Sequence, residues 1–202
     1  MSEIRPYRSS DREAVGQICV RTGASGQDAT GLFSDDLLLP DIFAFPYLAF
    51  QPDLAFVVDT GESVAGYVIG VADSLAYVDW YRREWLPGFR GRHPVGAGMP
   101  DRDREMIEYG LEIGGSVVAE VAEFPAHLHI DLVPELQGQG FGRALIRRLL
   151  AELRARGVPG VYLTMSSSNR SARAFYDRLG FWELPSSTPD SPALALRTDA
   201  DV

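Results

Sequence analysis

The feature that most constrains this chain is a glycine-punctuated turn, Gln137-Gly138-Gln139-Gly140-Phe141-Gly142-Arg143, set between a strand-like segment and an amphipathic helix. Upstream, His127-Leu128-His129-Ile130-Asp131-Leu132-Val133 alternates polar with apolar as a strand does, and Pro134 stops it. Downstream, Leu145, Ile146, Leu149, Leu150 and Leu153 recur at helical spacing with arginines on the other faces, and Gly157 is a helix stop. Glycines at 138, 140 and 142 let backbone amides converge at a helix N-terminus, where unpaired N–H groups and the helix dipole favour an anion such as phosphate. A tight structural turn has the same composition, so the turn alone leaves both readings open. It lacks the G-x-G-x-x-G register of a dinucleotide fold and the Lys-Ser/Thr pair of a P-loop.

Alternating elements surround this turn. Ile4-Arg5-Pro6-Tyr7 reads as a short edge strand, and Ser10 or Asp11 can cap a helix running to about Arg21. A Gly-rich loop spans Gly23 to Gly31, followed by Leu37 to Leu39 and the aromatics Phe43, Phe45, Tyr47 and Phe50, whose secondary structure the pattern does not assign. Leu54 to Asp59 and Val64 to Ala72 form a hairpin across Thr60-Gly61-Glu62-Ser63. From Asp73 to Phe124 the pattern turns irregular, with Trp80, Tyr81, Trp85, Phe89 and a Gly/Pro-rich piece from Pro87 to Pro100, then a helical segment from Asp101 to about Ile113. After the arginine-rich helix come a strand at Gly160 to Met165 and polar residues Ser166 to Asn169. A helix with the stripe Ala172, Phe175, Tyr176 and Leu179 follows, then strands at Phe181 to Leu184 and Ala193 to Leu196. The expectation is one α/β domain over residues 1–202, a mixed sheet of about six to seven strands flanked by helices, with an insertion at about 74–124.

Composition narrows the partners. With 46% hydrophobic and 23% charged residues the 202-residue chain has the balance of a folded globular protein. Its 19 basic against 28 acidic residues, a net charge of −9, argue against nucleic acid or an anionic membrane and would attract a cationic amine. A lone cysteine, Cys19, permits no intramolecular disulfide and lies in the apolar rhythm of the first helix. With neither an apolar signal region nor about 20 consecutive apolar residues, the expected location is cytoplasmic. His127 and His129 lie two apart on a strand with no third ligand cluster near them in sequence, so no metal is expected.

The Gly turn is followed by Asn169-Arg170-Ser171-Ala172-Arg173-Ala174-Phe175-Tyr176-Asp177-Arg178-Leu179-Gly180-Phe181. With these two motifs in this order, the chain resembles the GNAT acetyltransferase superfamily. Gln137, Gly140 and Gly142 match its pyrophosphate loop, and Asn169, Ala172, Phe175, Tyr176, Gly180 and Phe181 match its second signature. Ile4-Arg5-Pro6-Tyr7, the insert with Trp80 and Trp85, and His129-Ile130-Asp131 are also similar to the acetyltransferase-like C-terminal domain of O-GlcNAc hydrolases.

The resemblance implies a splayed sheet binding acetyl-CoA (coenzyme A) and direct acetyl transfer to a primary amine, carried by a small molecule or a peptide. Pantetheine would lie along the backbone amides of Leu132 and Val133, and the pyrophosphate on the amides of Gly138, Gln139, Gly140, Phe141, Gly142 and Arg143. Gln137, Asn169 and Ala172 would complete the cofactor site, and Asn169 serves equally as a helix N-cap. By the same analogy Tyr176 stands beside the sulfur as general acid, since a phenol can protonate a thiolate while itself neutral at pH 7; its place on an apolar stripe also suits a core aromatic. Strand alternation puts His127, His129 and Asp131 on one face, with Asp131 the first candidate base and His129 the second. Trp80, Tyr81 and Trp85 are candidates for the acceptor pocket, although aromatic density also suits a core cover or a homodimer surface. Two other classes remain, a noncatalytic acyl-CoA-binding or protein-interaction module and an ATP-using enzyme.

Overall fold

The computed structural model describes residues 2–112 and 117–202. Seven strands, β1 (Glu3–Pro6), β2 (Ala55–Asp59), β3 (Val64–Val71), β4 (Ala126–Leu132), β5 (Gly160–Thr164), β6 (Trp182–Glu183) and β7 (Ala193–Arg197), form one sheet in the order β1-β2-β3-β4-β5-β7-β6. Neighbours are antiparallel except β4 and β5, which are parallel. Period-2 alternation divides the apolar side chains between two cores. Val57, Tyr67 and Ile69 face α1 (Arg12–Thr22), α2 (Leu38–Phe43), α3 (Phe45–Phe50), α4 (Ser74–Trp80), α5 (Leu86–Arg92) and α6 (Asp101–Leu111). Phe56, Val58 and Val68 face α7 (Phe141–Ala155) and α8 (Arg170–Arg178). The α7 stripe Leu145, Ile146, Leu149, Leu150 and Leu153 is at most 2% exposed. Each such side chain contributes about 1.5–3 kcal/mol on leaving water, and together they hold the Gly turn against the sheet.

The structure adds to the sequence reading at several points. The unassigned segment 37–50 is two short helices broken at Ala44. The stretch after Asp73 is ordered helix: α4 has Asp73 as N-cap, its carboxylate accepting from the amides of Leu75 and Ala76, and passes through a π-helical turn, Tyr81–Trp85, into α5. Pro87, the first residue of the Gly/Pro-rich piece, lies where the π-helical turn passes into α5, so the helix continues through it. At α1 neither proposed side chain caps the amides. Asp11 instead accepts from the Arg8 amide (2.8 Å) and, with two oxygens, from the Arg5 guanidinium (2.7 and 2.9 Å), fastening β1 to the start of α1. The helix at 101 ends at Leu111; Ile113 lies outside the described residues.

One irregularity positions the site. β3 and β4 pair without a break from Val71↔His127 to Gly66↔Leu132, whereas β4 and β5 pair only at Ala126↔Val161 and His127↔Tyr162. β4 therefore follows β3 away from β5, and the sheet opens into a V between residues 128–132 and 163–164.

Candidate active site

The V exposes one edge of β4. In an antiparallel ladder alternate residues bond the neighbour. Val133 donates its amide to the Ala65 carbonyl (3.1 Å), so residues 127, 129, 131 and 133 are engaged by β3, while Ile130 and Leu132 turn N–H and C=O toward the gap. This corrects one expectation: the Val133 amide is consumed by the sheet, and Ile130 takes its place beside Leu132. The Leu132 carbonyl in turn accepts from Gln137 Nε2 (3.0 Å).

The Gly turn forms the floor. Gly140 has φ 88° and immediately precedes α7. A side chain there would meet no atom within 4 Å, so glycine is required by the left-handed backbone and not by crowding. Gly142 is favoured by space: a Cβ would stand 3.0 Å from the Phe175 ring and 3.3 Å from Leu132, closer than ordinary contact, so both side chains would have to give way. A groove of about 430 Å³ runs from the turn along the open edge. Of the predicted residues, Asp131, Leu132, Gln137, Gly138, Gly140, Gly142, Arg143, Asn169, Ala172 and Tyr176 line it. The side chain of Gln139 instead donates to the Glu135 carbonyl (2.6 Å), and Phe141 packs against the α7 core. Thr22, Gly26 and Gln27 close the groove from the end of α1, and Arg178 adds a cation; the sequence reading missed all four, of which only the Gly-rich loop carried any signal. Backbone amides and two arginines beside apolar Ile130, Leu132 and Ala172 suit a ligand with phosphates at one end and an extended, mostly apolar arm.

On the far wall, Asn169 caps α8, its Oδ1 accepting from the Ala172 amide (3.1 Å) and Ser171 Oγ (3.0 Å). The Tyr176 ring lies between Phe175 and Phe181, each at 5.2 Å between centroids, and is 7% exposed. Burial, and behind it the charge of Asp131, push its phenol above the ordinary tyrosine range, so it carries its proton at neutral pH.

Across the gap, β4 presents the three polar side chains read from its alternation. Asp131 Oδ2 accepts from the Tyr67 hydroxyl at 2.5 Å; burial raises this carboxyl and the Tyr67 hydrogen bond opposes the rise. His129 Nε2 lies 3.0 Å from the Tyr47 hydroxyl, which lies 2.8 Å from His127 Nε2, and His127 Nδ1 lies 2.7 Å from Ser74 Oγ. Burial lowers both imidazoles, His127 to about 3 with His129 adding to the effect, and His129 to about 4. A narrow recess of about 20 Å³ opens here between the strands, lined by Phe43, Tyr47, Tyr109, His127, Leu128, His129, Tyr162, Leu163 and Thr164.

The expected acceptor aromatics are not in this recess. Tyr81 is fully buried with its hydroxyl on the Gly110 carbonyl (3.1 Å), and Trp85 Nε1 donates to the Asp41 carbonyl (3.0 Å). Trp80 packs against Phe50 with tilted rings, 5.2 Å between centroids. The continuous helix from 74 to 92 turns Trp80 toward α3, Trp85 toward α2 and Tyr81 toward α6, where they pack in or against the core. The aromatics in the recess are Phe43, Tyr47, Tyr109 and Tyr162, from four separate elements.

Comparison with known proteins now bears on this geometry. The model of the acetyltransferase (GNAT) family matches residues 28–181. The chain belongs to this family. The crystal structure of SsHAT is 46% identical to this chain with a TM-score of 0.91, covering 98% of each chain. The protein O-GlcNAcase of Rattus norvegicus is 22% identical over 184 residues, which are 90% of this chain and 20% of that protein. The [ribosomal protein bS18]-alanine N-acetyltransferase of Escherichia coli (strain K12) is 40% identical over 79 residues, 39% of this chain and 53% of that protein. The chain thus spans about a fifth of the length of the O-GlcNAcase it matches. No helix among the described residues is long and apolar enough to cross a membrane.

Proposed function

We propose that this chain uses acetyl-CoA and passes the acetyl group directly to a primary amine on a peptide or a small molecule. The observation that carries the reading is the V between β4 and β5, with the Gly turn at its floor, Tyr176 on one wall and the β4 polar face on the other. Acetyl-CoA would supply the activated thioester. Amides of the Gly turn with Arg143 hold the diphosphate, and the open edge of Ile130 and Leu132 takes the arm as an added strand would be taken. Tyr176 delivers the proton that the departing sulfur needs, and a proton acceptor on β4, Asp131 or His129, relieves the amine of its own. Cys19 is buried, and burial pushes its thiol up, so no covalent acyl-enzyme is assigned to it. The recess between the strands, about one water molecule in volume, opens beside the β4 histidines.

Thermal unfolding with acetyl-CoA, CoA or ATP tests this reading. A ligand at 100 times its Kd stabilises the fold by about 2.7 kcal/mol. The expected result is a rise in midpoint with both CoA species and not with ATP, followed by amine-dependent CoA release. The absence of any shift at millimolar acetyl-CoA would overturn the assignment of the groove.

A further inference from the structure

A directed hydrogen-bond chain runs from the Pro125 carbonyl through Ser74, His127 and Tyr47 to His129 on β4. The Pro125 carbonyl, which can only accept, lies 2.7 Å from both the Ser74 amide and Ser74 Oγ. At that distance the one hydroxyl hydrogen of Ser74 points at the carbonyl, because two oxygens would otherwise face each other with no hydrogen between them. Ser74 Oγ can then only accept from His127 Nδ1, 2.7 Å away, so the proton of a neutral His127 is on Nδ1 and its Nε2 is bare. That bare nitrogen, 2.8 Å from the Tyr47 hydroxyl, takes the only hydrogen Tyr47 has. The Tyr47 oxygen is left to accept from His129 Nε2 at 3.0 Å, and a neutral His129 therefore keeps its lone pair on Nδ1. Among the described residues Nδ1 has no hydrogen-bond partner.

We propose that Tyr47, oriented by His127, Ser74 and the Pro125 carbonyl, is a positioning residue that fixes His129 in its Nε2–H tautomer and thereby makes Nδ1 the base that accepts the amine proton. The inference rests on the acetyl-transfer reading above and names its base. Burial supports the neutral state of both imidazoles. His129 lines the recess between the strands, whereas Asp131 lines the cofactor groove with one oxygen held by Tyr67. In the step, the acceptor nitrogen bonds the acetyl carbon as the carbon–sulfur bond breaks. The amine proton goes to His129 Nδ1, giving an imidazolium that still donates through Nε2 to Tyr47, and the thiolate takes the Tyr176 proton. Exchange with water returns His129 and Tyr176 to their starting states after the products leave. Tyr47 is 82 residues from His129 in sequence, so no local motif pairs them.

The test combines 15N NMR of histidine-labelled protein with steady-state kinetics on acetyl-CoA and a lysine-containing peptide. In the wild type the His129 signals should show a protonated Nε2 and an unprotonated Nδ1. Tyr47→Phe keeps the ring packed 4.7 Å from Tyr77 and removes only the hydroxyl, so it should mix the tautomers of His129. It should lower kcat by about 10-fold or more, part of the about 10²–10⁴-fold that a positioned base supplies, with the Kd for acetyl-CoA unchanged. Ser74→Ala, which frees His127 Nδ1 from its acceptor, should shift the same signals in the same direction, and His129→Gln should cost about 100-fold in kcat. A wild-type His129 protonated on Nδ1, or a Tyr47→Phe enzyme with wild-type tautomer and kcat, overturns the inference even where the protein binds acetyl-CoA and turns over. Failure of the wild type to bind acetyl-CoA overturns the acetyl-transfer reading instead, and is read from the binding titration alone.

Discussion

Substituting Gly140 by alanine separates the two roles that a Gly-rich turn can have. Gly140 holds φ 88° at the start of α7, and an added Cβ would find no atom within 4 Å, so the substitution carries a conformational cost and no clash. An L-residue in the left-handed region costs about 1–2 kcal/mol. That cost has two outlets. If the turn keeps its shape the strain stays in the folded state, and the unfolding midpoint falls by about 2–8 °C for a chain of this size. If the turn relaxes to negative φ, the amides at the head of α7 swing off their common point and the strain disappears from stability. It returns as lost binding, a Kd for acetyl-CoA about 5- to 30-fold weaker. The assay is differential scanning fluorimetry on the free protein together with a calorimetric titration of acetyl-CoA. Either loss, or a division between them, is expected. An alanine variant with both midpoint and Kd at wild-type values would refute the argument that the left-handed residue shapes an anion site.

Tyr176→Phe leaves the ring between Phe175 and Phe181 and removes the acid, so kcat should fall by about 100-fold with acetyl-CoA affinity retained; an unchanged rate takes Tyr176 out of the mechanism. His127 and His129 have folded pKa values of about 3 and about 4, below the unfolded value of about 6.5, so the unfolded chain binds more protons over that interval. Their contribution is therefore absent above pH 6.5 and destabilises increasingly as pH falls below it. NMR titration should find both rings neutral at pH 5, and protonation near pH 6.5 would contradict their burial. Leu149→Ala empties a fully buried site on α7 and should cost about 2–5 kcal/mol in denaturant unfolding; a loss under 1 kcal/mol would mean that α7 does not clamp the turn as described.

Local chemistry made much of this fold legible. The α7 stripe, the β2–β3 hairpin, the alternation of β4 and the Asn169 cap are all read from neighbours within a few residues, and each stands where its pattern placed it. Two kinds of feature were missed. The aromatics of 74–92 were read as an irregular insert because Gly and Pro masked a helix, and of the pocket, core cover and dimer surface that their density allowed, the structure shows them packed in the core. The Val133 amide was placed in the cofactor slot by the family resemblance, which does not say which β4 amides bond β3; the register decides that.

By itself the sequence determined the element order, the Gly turn ahead of an arginine-rich helix, the Asn169–Phe181 signature, and the face shared by His127, His129 and Asp131. These are properties of spacing, and backbone geometry turns spacing into faces and caps without help from distant residues. Only the tertiary structure decided where β4 parts from β5, that Tyr67 lies against Asp131, and that Tyr47, 80 residues from His127, joins both histidines into one hydrogen-bond chain. The physical reason is that strand pairing ends, side-chain proximity and proton direction depend on contacts between segments far apart in the chain, and nothing in a local window records which distant partner will be there.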